Sequence, residues 1–236
     1  MKRAAGTSAR VFSRLRRAGW EAVLAIACVA CARPGEASRP GDPIEVLVAA
    51  DPETLDPRYV TDAVGMRTTR LVHAGLVRLD PDTLAPMPYL ARSWHWVDPS
   101  TLDVDLRDDV RFHGGAPLRA ADVVATLRAF ASPAVGSRHA SVVEAIASAE
   151  ALGEHGVRIR LGRPHATLLT DLELPILRED QAFAPPSPDG ALDGLGPYAL
   201  AHVQPGEVRL VPATAGALPA PARPVTLRVV HDENAR

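Results

Sequence analysis

Gly75 to Pro117 reads GLVRLDPDTLAPMPYLARSWHWVDPSTLDVDLRDDVRFHGGAP, and its punctuation decides the fold. Ser93–Val97 and Thr101–Arg107 flank the turn Asp98-Pro99-Ser100. Leu102, Val104 and Leu106 alternate with Thr101, Asp103, Asp105 and Arg107. A period of two puts the apolar side chains on one face, so the stretch predicts an antiparallel hairpin with one dry and one wet face. Val110 and Phe112 extend the alternation towards Gly114-Gly115. Trp94 and Trp96 share a strand face, where a tryptophan pair could form a ligand wall but packing within the hairpin is the favoured expectation. Asp103, Asp105, Asp108 and Asp109 are expected on solvated turn and hairpin exteriors.

Downstream of this stretch the period changes. Val123, Leu127 and Phe130 lie on one face of a helix over 122–130, with Asp122 in its first turn, where a carboxylate suits the helix dipole. Arg119 stands at the cap position and predicts a weak helix start. Val157, Ile159 and Leu161 alternate after a turn at Gly153–Gly156, and Leu168, Leu169 and Leu172 suggest a short helix ended by Pro175. Residues 181–196, rich in Pro, Gly and Asp, read as a hinge crossing. Tyr198–Val203 and Glu207–Val211 form a second hairpin about Pro205-Gly206, and Val225–Val230 is a last strand. Upstream, Ile44–Ala50 reads as a buried strand stopped at Asp51-Pro52. Thr61 or Asp62 can cap a helix running to Ala74, with Gly75 at its exit.

These pieces, in this order, resemble the extracellular solute-binding proteins of family 5, the binding components of peptide ABC importers. ADPETLDP (Ala50–Pro57) is similar to the family's opening, and RAADVVATLRAF (Arg119–Phe130) to its first signature helix. IASAEALGEHGVRIRLGRP (Ile146–Pro164) resembles the following hairpin, GLGPY (ending at Tyr198) the family's G-T-G-P-Y, and RVVHDENAR (Arg228–Arg236) the start of a further helix. Two features depart from the family. Arg119 replaces the usual Thr or Ser, and Pro212–Pro224 lacks the usual N-P-x-Y-W. The resemblance implies an α/β fold: a mixed-sheet periplasmic-binding-protein lobe, type II-like, with an inserted strand-rich subdomain. The first-lobe segments would be 44–75 and 178–236, and the insert 76–177. Family members are considerably longer, so the chain is expected to lack the second ligand-binding lobe. A helix begun at Asp232 would stop after one turn.

The first 27 residues carry six of the 26 basic groups (Lys2, Arg3, Arg10, Arg14, Arg16, Arg17), with Glu21 as their one acid, ahead of the apolar run Ala22–Ala30. That is the layout of a secretory signal, with the apolar run too short to span a bilayer. Cys28 and Cys31 end the run. Cys28, after Leu24-Ala-Ile-Ala, is the first candidate for lipidation. Cys31 and ordinary cleavage stay open, because Leu24 lies four residues before Cys28 where a lipobox prefers three. The literal C-x-x-C spacing has no second pair to complete a zinc site. Residues 28–43 read as a lipoprotein tether, rich in Pro and Gly. From Cys28 on, 20 basic face 27 acidic side chains, a formal −7, which argues against a nucleic-acid partner. Lys2 is the only lysine, so the many arginines read as compositional bias rather than as candidate ligands.

The motifs for catalysis are missing. Phe112-His113-Gly114-Gly115 faintly resembles an oxyanion loop, but no G-x-S-x-G supplies a nucleophile. No histidine pair has zinc-hydrolase spacing on a helix, and no G-x-x-x-x-G-K-[ST] cradles a phosphate. The expectation is therefore a binding protein, not an enzyme, with no cofactor or metal. Its partners would be a peptide or small solute and an importer permease, and its place the periplasm or cell envelope, held to the membrane by a lipid anchor. The other class left open is an envelope interaction protein or nonfunctional remnant keeping the half-fold. The resemblance implies ligand contacts from the loop Asp51, Pro52, Glu53, Thr54 and Leu55, and from Gly196, Pro197 and Tyr198 near the crossing.

Overall fold

The computed structural model describes residues 41–187, 192–214, 218–219 and 221–230. The signal, both cysteines, most of the tether and the helix start at Asp232 lie outside them.

Two four-stranded sheets organise these residues. The first joins β1 (Ile44–Val48), β8 (Tyr198–Gln204), β9 (Glu207–Pro212) and β10 (Val225–Val229) in the order β1-β10-β9-β8. β1 and β10 run parallel with Ile44 opposite Val225, and the other pairs are antiparallel. Helix α1 (Ala63–Val72) covers this sheet, closing a cluster of Leu55, Val72, Tyr198, Val208, Leu210, Val225 and Leu227. Contrary to what its apolar run predicts, β1 is not a buried strand. β1 is an edge strand with one described neighbour, so Ile44, Val46 and Leu47 each remain 40% exposed.

The second sheet is wholly antiparallel. It contains β4 (Ala91–Asp98), β5 (Thr101–Leu106), β6 (Ile146–Leu152) and β7 (Gly156–Leu161) in the order β4-β5-β7-β6. A ribbon of β2 (Val77–Leu79) and β3 (Pro86–Pro88) precedes it. Helix α2 (Ala120–Ala131) packs on β6 and β7. The larger core includes Leu76, Leu90, Leu102, Val104, Phe112, Leu127, Phe130, Ile159 and Leu177. Leu102, Val104 and Leu106 face inward as their alternation predicts. Trp94 and Trp96 lie on that same face, opposite Val104 and Leu102. Trp94 packs against the core, while Trp96 on the edge strand stays 41% exposed.

Asp103 departs from the expected wet face. It is 8% exposed, because β5 lies between β4 and β7 and the register sets Asp103 opposite Arg158. Arg158 donates from Nε and Nη2 to the two carboxylate oxygens, both at 2.7 Å, and this pair holds the Asp103 carboxyl below its ordinary pKa. Asp108 and Asp109 do lie outside, paired with Arg92 and Arg107.

At the start of α2 the Arg119 side chain has no acceptor to offer the helix amides. Asp122 supplies half of a capping arrangement instead. Its Oδ2 accepts from the Arg119 amide and its Oδ1 from the Glu179 amide, each at 2.8 Å. Burial raises its pKa. Thr126 adds a second tie, its Oγ1 accepting from the Leu177 amide at 2.9 Å. The short helices α3 (Leu168–Asp171) and α4 (Glu179–Ala182) lie in the return path.

Candidate functional site

The loop between β1 and α1 is built from its own side chains. Asp51 accepts from the Gly206 amide at 2.9 and 3.1 Å, which ties the loop to the β8–β9 turn, where Gly206 adopts a φ of +85°. Asp62 acts twice. Its Oδ1 caps α1 through the Gly65 amide at 2.7 Å, and its Oδ2 accepts from the Glu53 amide at 3.1 Å. The loop lies so close to the helix that a Cβ on Gly65 would stand 2.9 Å from the Thr54 carbonyl oxygen. Thr54 Oγ1 in turn accepts from the Asp56 amide at 3.1 Å. Asp51 and Glu53 are exposed, Pro52 and Thr54 half-buried, and Leu55 is in the core.

Beneath the loop lies an ion pair that sequence reasoning missed. Asp56 and Arg58 are fully buried, with Nη2 and Oδ2 2.6 Å apart. Arg58 also donates to the carbonyls of Ala182, Ala184 and Pro185 at 3.1, 2.6 and 3.4 Å. The same loop continues along a cavity of about 220 Å³ lined by Pro57, Val60, Met66, Arg70, His139 and Leu174 among others.

The second set of candidates lies elsewhere. The Gly196 amide donates to the Val72 carbonyl at the end of α1 at 2.8 Å. Its own carbonyl meets His113 Nε2 at 2.9 Å. The Pro197 carbonyl accepts from the Ala213 amide at 2.9 Å. Tyr198 is 6% exposed and donates its hydroxyl to the Arg223 carbonyl at 3.1 Å.

β8 is parallel to β1 through two intervening antiparallel steps, so Tyr198 begins its strand at the end where β1 also begins, whereas Asp51 and Gly206 sit at the opposite end. α1 runs between the two ends, its first turn bonded to the Glu53 loop and its last to Gly196. The structure therefore sets the exposed residues Asp51–Thr54 and the junction Gly196-Pro197 at opposite ends of the sheet, while Leu55 and Tyr198 share the core cluster beneath α1. The first set forms an exposed loop, and the second a packed junction.

The first set presents main-chain groups and the exposed side chains of Asp51 and Glu53 at the carboxyl ends of the parallel strands β1 and β10. His113 Nε2 is engaged by a backbone carbonyl. Among the described residues, no group of three His, Cys, Asp or Glu side chains is placed to hold a metal ion.

Residues 85–236 match the family described as bacterial extracellular solute-binding proteins, family 5 middle. The chain is 28% identical over 236 residues to Protein XP55 of Streptomyces lividans, covering 94% of this chain and 42% of that protein. It is 28% identical over 186 residues to the glutathione-binding protein GsiB of Salmonella typhi, covering 77% of this chain and 36% of that one. NikZ of Campylobacter jejuni, solved in complex with Ni(L-His), superposes with a TM-score of 0.74 at 27% identity, over 84% of this chain and 41% of NikZ. The chain thus spans about two fifths of the length of the proteins it matches.

Proposed function

We infer, for a chain that belongs to the bacterial extracellular solute-binding proteins, family 5, that it supplies the first-lobe side of a clamp for a peptide or related small solute of an ABC importer. The observation that carries this reading is the Asp51–Gly206 contact, which fixes an exposed loop at the carboxyl ends of β1 and β10. Such a loop offers main-chain groups that an extended ligand can match independently of its side chains. The glutathione-binding name of GsiB and the nickel–histidine complex of NikZ favour a small solute derived from amino acids. In this proposal Asp51, Pro52, Glu53 and Thr54 face the ligand, and Leu55 supports them from the core. Gly196, Pro197 and Tyr198 hold the far end of α1. The complementary partner is the importer's permease.

Titrating the chain with glutathione and with di- to pentapeptides, followed by amide NMR, tests this. The expected result is saturable shifts at Glu53, Thr54 and Gly206, because the exposed main-chain groups of this loop are the ones an extended ligand would match. An absence of shifts up to tens of millimolar, or shifts centred on Gly196, would overturn it.

We also propose export with lipid on Cys28, or on Cys31 as the second candidate, because the basic segment, short apolar run and cysteines stand in that order. Mass spectrometry of the mature N-terminus decides it, and an intact Met1 on protein expressed in a bacterial host able to process lipoproteins would refute it.

A further inference from the structure

The crossing at residues 192–197 is laid against the end of α1 more closely than any side chain would allow. A Cβ on Gly194 would collide with the Val72 carbonyl oxygen and stand 2.9 Å from His113 Cε1, and one on Gly196 would collide with the Leu71 carbonyl oxygen. Three hydrogen bonds fasten this strap: Gly196 amide to Val72 carbonyl at 2.8 Å, His113 amide to Gly194 carbonyl at 2.9 Å, and His113 Nε2 with the Gly196 carbonyl at 2.9 Å. The residue that follows Val72 is His73. It is 2% exposed, and neither ring nitrogen has a hydrogen-bond partner.

A buried imidazole without partners is tolerated only while neutral, because a proton would create a charge that nothing solvates. The titratable groups that face it do not relieve this. His113, from the turn ahead of α2, disfavours a positive charge on the ring, and Asp56, from the loop ahead of α1, favours one but is already engaged by Arg58. Beyond them Asp193, paired with Arg178, accepts from the Gly114 amide. The ring can accommodate a proton only by reaching water, and the strap lies on the end of the helix that carries it.

We propose that His73 is an acid-sensitive latch, which holds the strap on α1 while neutral and releases it when protonated, loosening the join between the two hydrophobic clusters without unfolding either.

Burial, reinforced by His113, lowers the His73 pKa from 6.5 to about 4. A depressed pKa means that the closed state binds fewer protons than the open one. Closure is therefore fully favoured above pH 6.5 and weakens as pH falls towards 4. If the opened state titrates normally, the opening equilibrium rises roughly 30-fold between pH 7.5 and pH 5.0.

Native-state amide exchange, corrected for intrinsic rates, reads this directly. Protection of the Gly196 and His113 amides should fall by about that factor between pH 7.5 and 5.0, while the Val157 and Ile159 amides in β7 hold. His73→Leu removes no hydrogen bond and should abolish the pH dependence at Gly196. Constant Gly196 protection, loss in step with β7, or an unchanged pH response in His73→Leu would each overturn the latch. Should that variant not fold, titration of the His73 ring by NMR in the wild-type chain still decides. An apparent pKa below about 5 supports the latch, and one near 6.5 refutes it.

Discussion

The Arg58 guanidinium and the Asp56 carboxylate lie 2.6 Å apart, both wholly out of water, and the guanidinium's remaining donors hold three carbonyls more than 120 residues away. The pair thus joins the loop carrying the candidate ligand contacts to the segment that follows α4.

Removing one half of this pair leaves the other buried and uncompensated. Arg58→Ala should cost about 3–5 kcal/mol in urea unfolding, whereas the double replacement Asp56→Leu with Arg58→Met should cost clearly less than the sum of its single changes. Strict additivity would show that the two charges act independently.

The hairpin supplies a pair of neighbours with opposite surroundings. Val104→Asp places an unpaired charge in the core and should cost several kcal/mol. Asp103→Asn should cost about 1 kcal/mol through the weakened Arg158 contact. Arg158 depresses the Asp103 pKa, so the pair's contribution is complete above about pH 4 and fades as pH falls further. Asp103→Asn should therefore lose less stability than wild type below pH 4. Parallel acid-unfolding profiles would contradict this.

At the strap, Gly196→Ala forces a methyl group onto the Leu71 and Val72 backbone and should cost about 1–3 kcal/mol. Gly162→Ala, whose new Cβ would stand 3.9 Å from the Ala147 Cβ, should leave stability within about 0.5 kcal/mol or raise it. Thermal melts of the two variants check the contrast. Equal shifts would mean that the strap yields freely.

Periodic features were legible in the sequence. The two-residue alternation at Leu102–Leu106 and Val157–Leu161 located the strands and their buried faces, and the cap ahead of α1 was readable as Thr61 or Asp62, of which the structure uses Asp62. Long-range pairings were not. Nothing local distinguishes Ile44–Val48 as an edge from a buried central strand, because that depends on β10 arriving from the other end of the chain. Asp103 looked solvated for the same reason, since Arg158 lies 55 residues away. Arg58 was hidden by composition: in a chain whose cations are nearly all arginine, a buried one carries no distinguishing mark. The candidate loop was found through its resemblance, but its separation from Gly196–Tyr198 follows only from strand direction.

The parallel register of Ile44 with Val225 also bears on how the chain reaches its shape. Every pairing in the β4–β7 sheet closes within about 60 residues, so that sheet can assemble while synthesis is still under way. β1 has no described neighbour until β10 emerges some 180 residues later. Non-local closures of this kind are slow, and until this one occurs both edges of β1, with its aliphatic residues Ile44, Val46 and Leu47, are open to other chains. The nascent protein is therefore most prone to aggregate in the interval between exposure of β1 and arrival of β10, and chaperone dependence should track that interval.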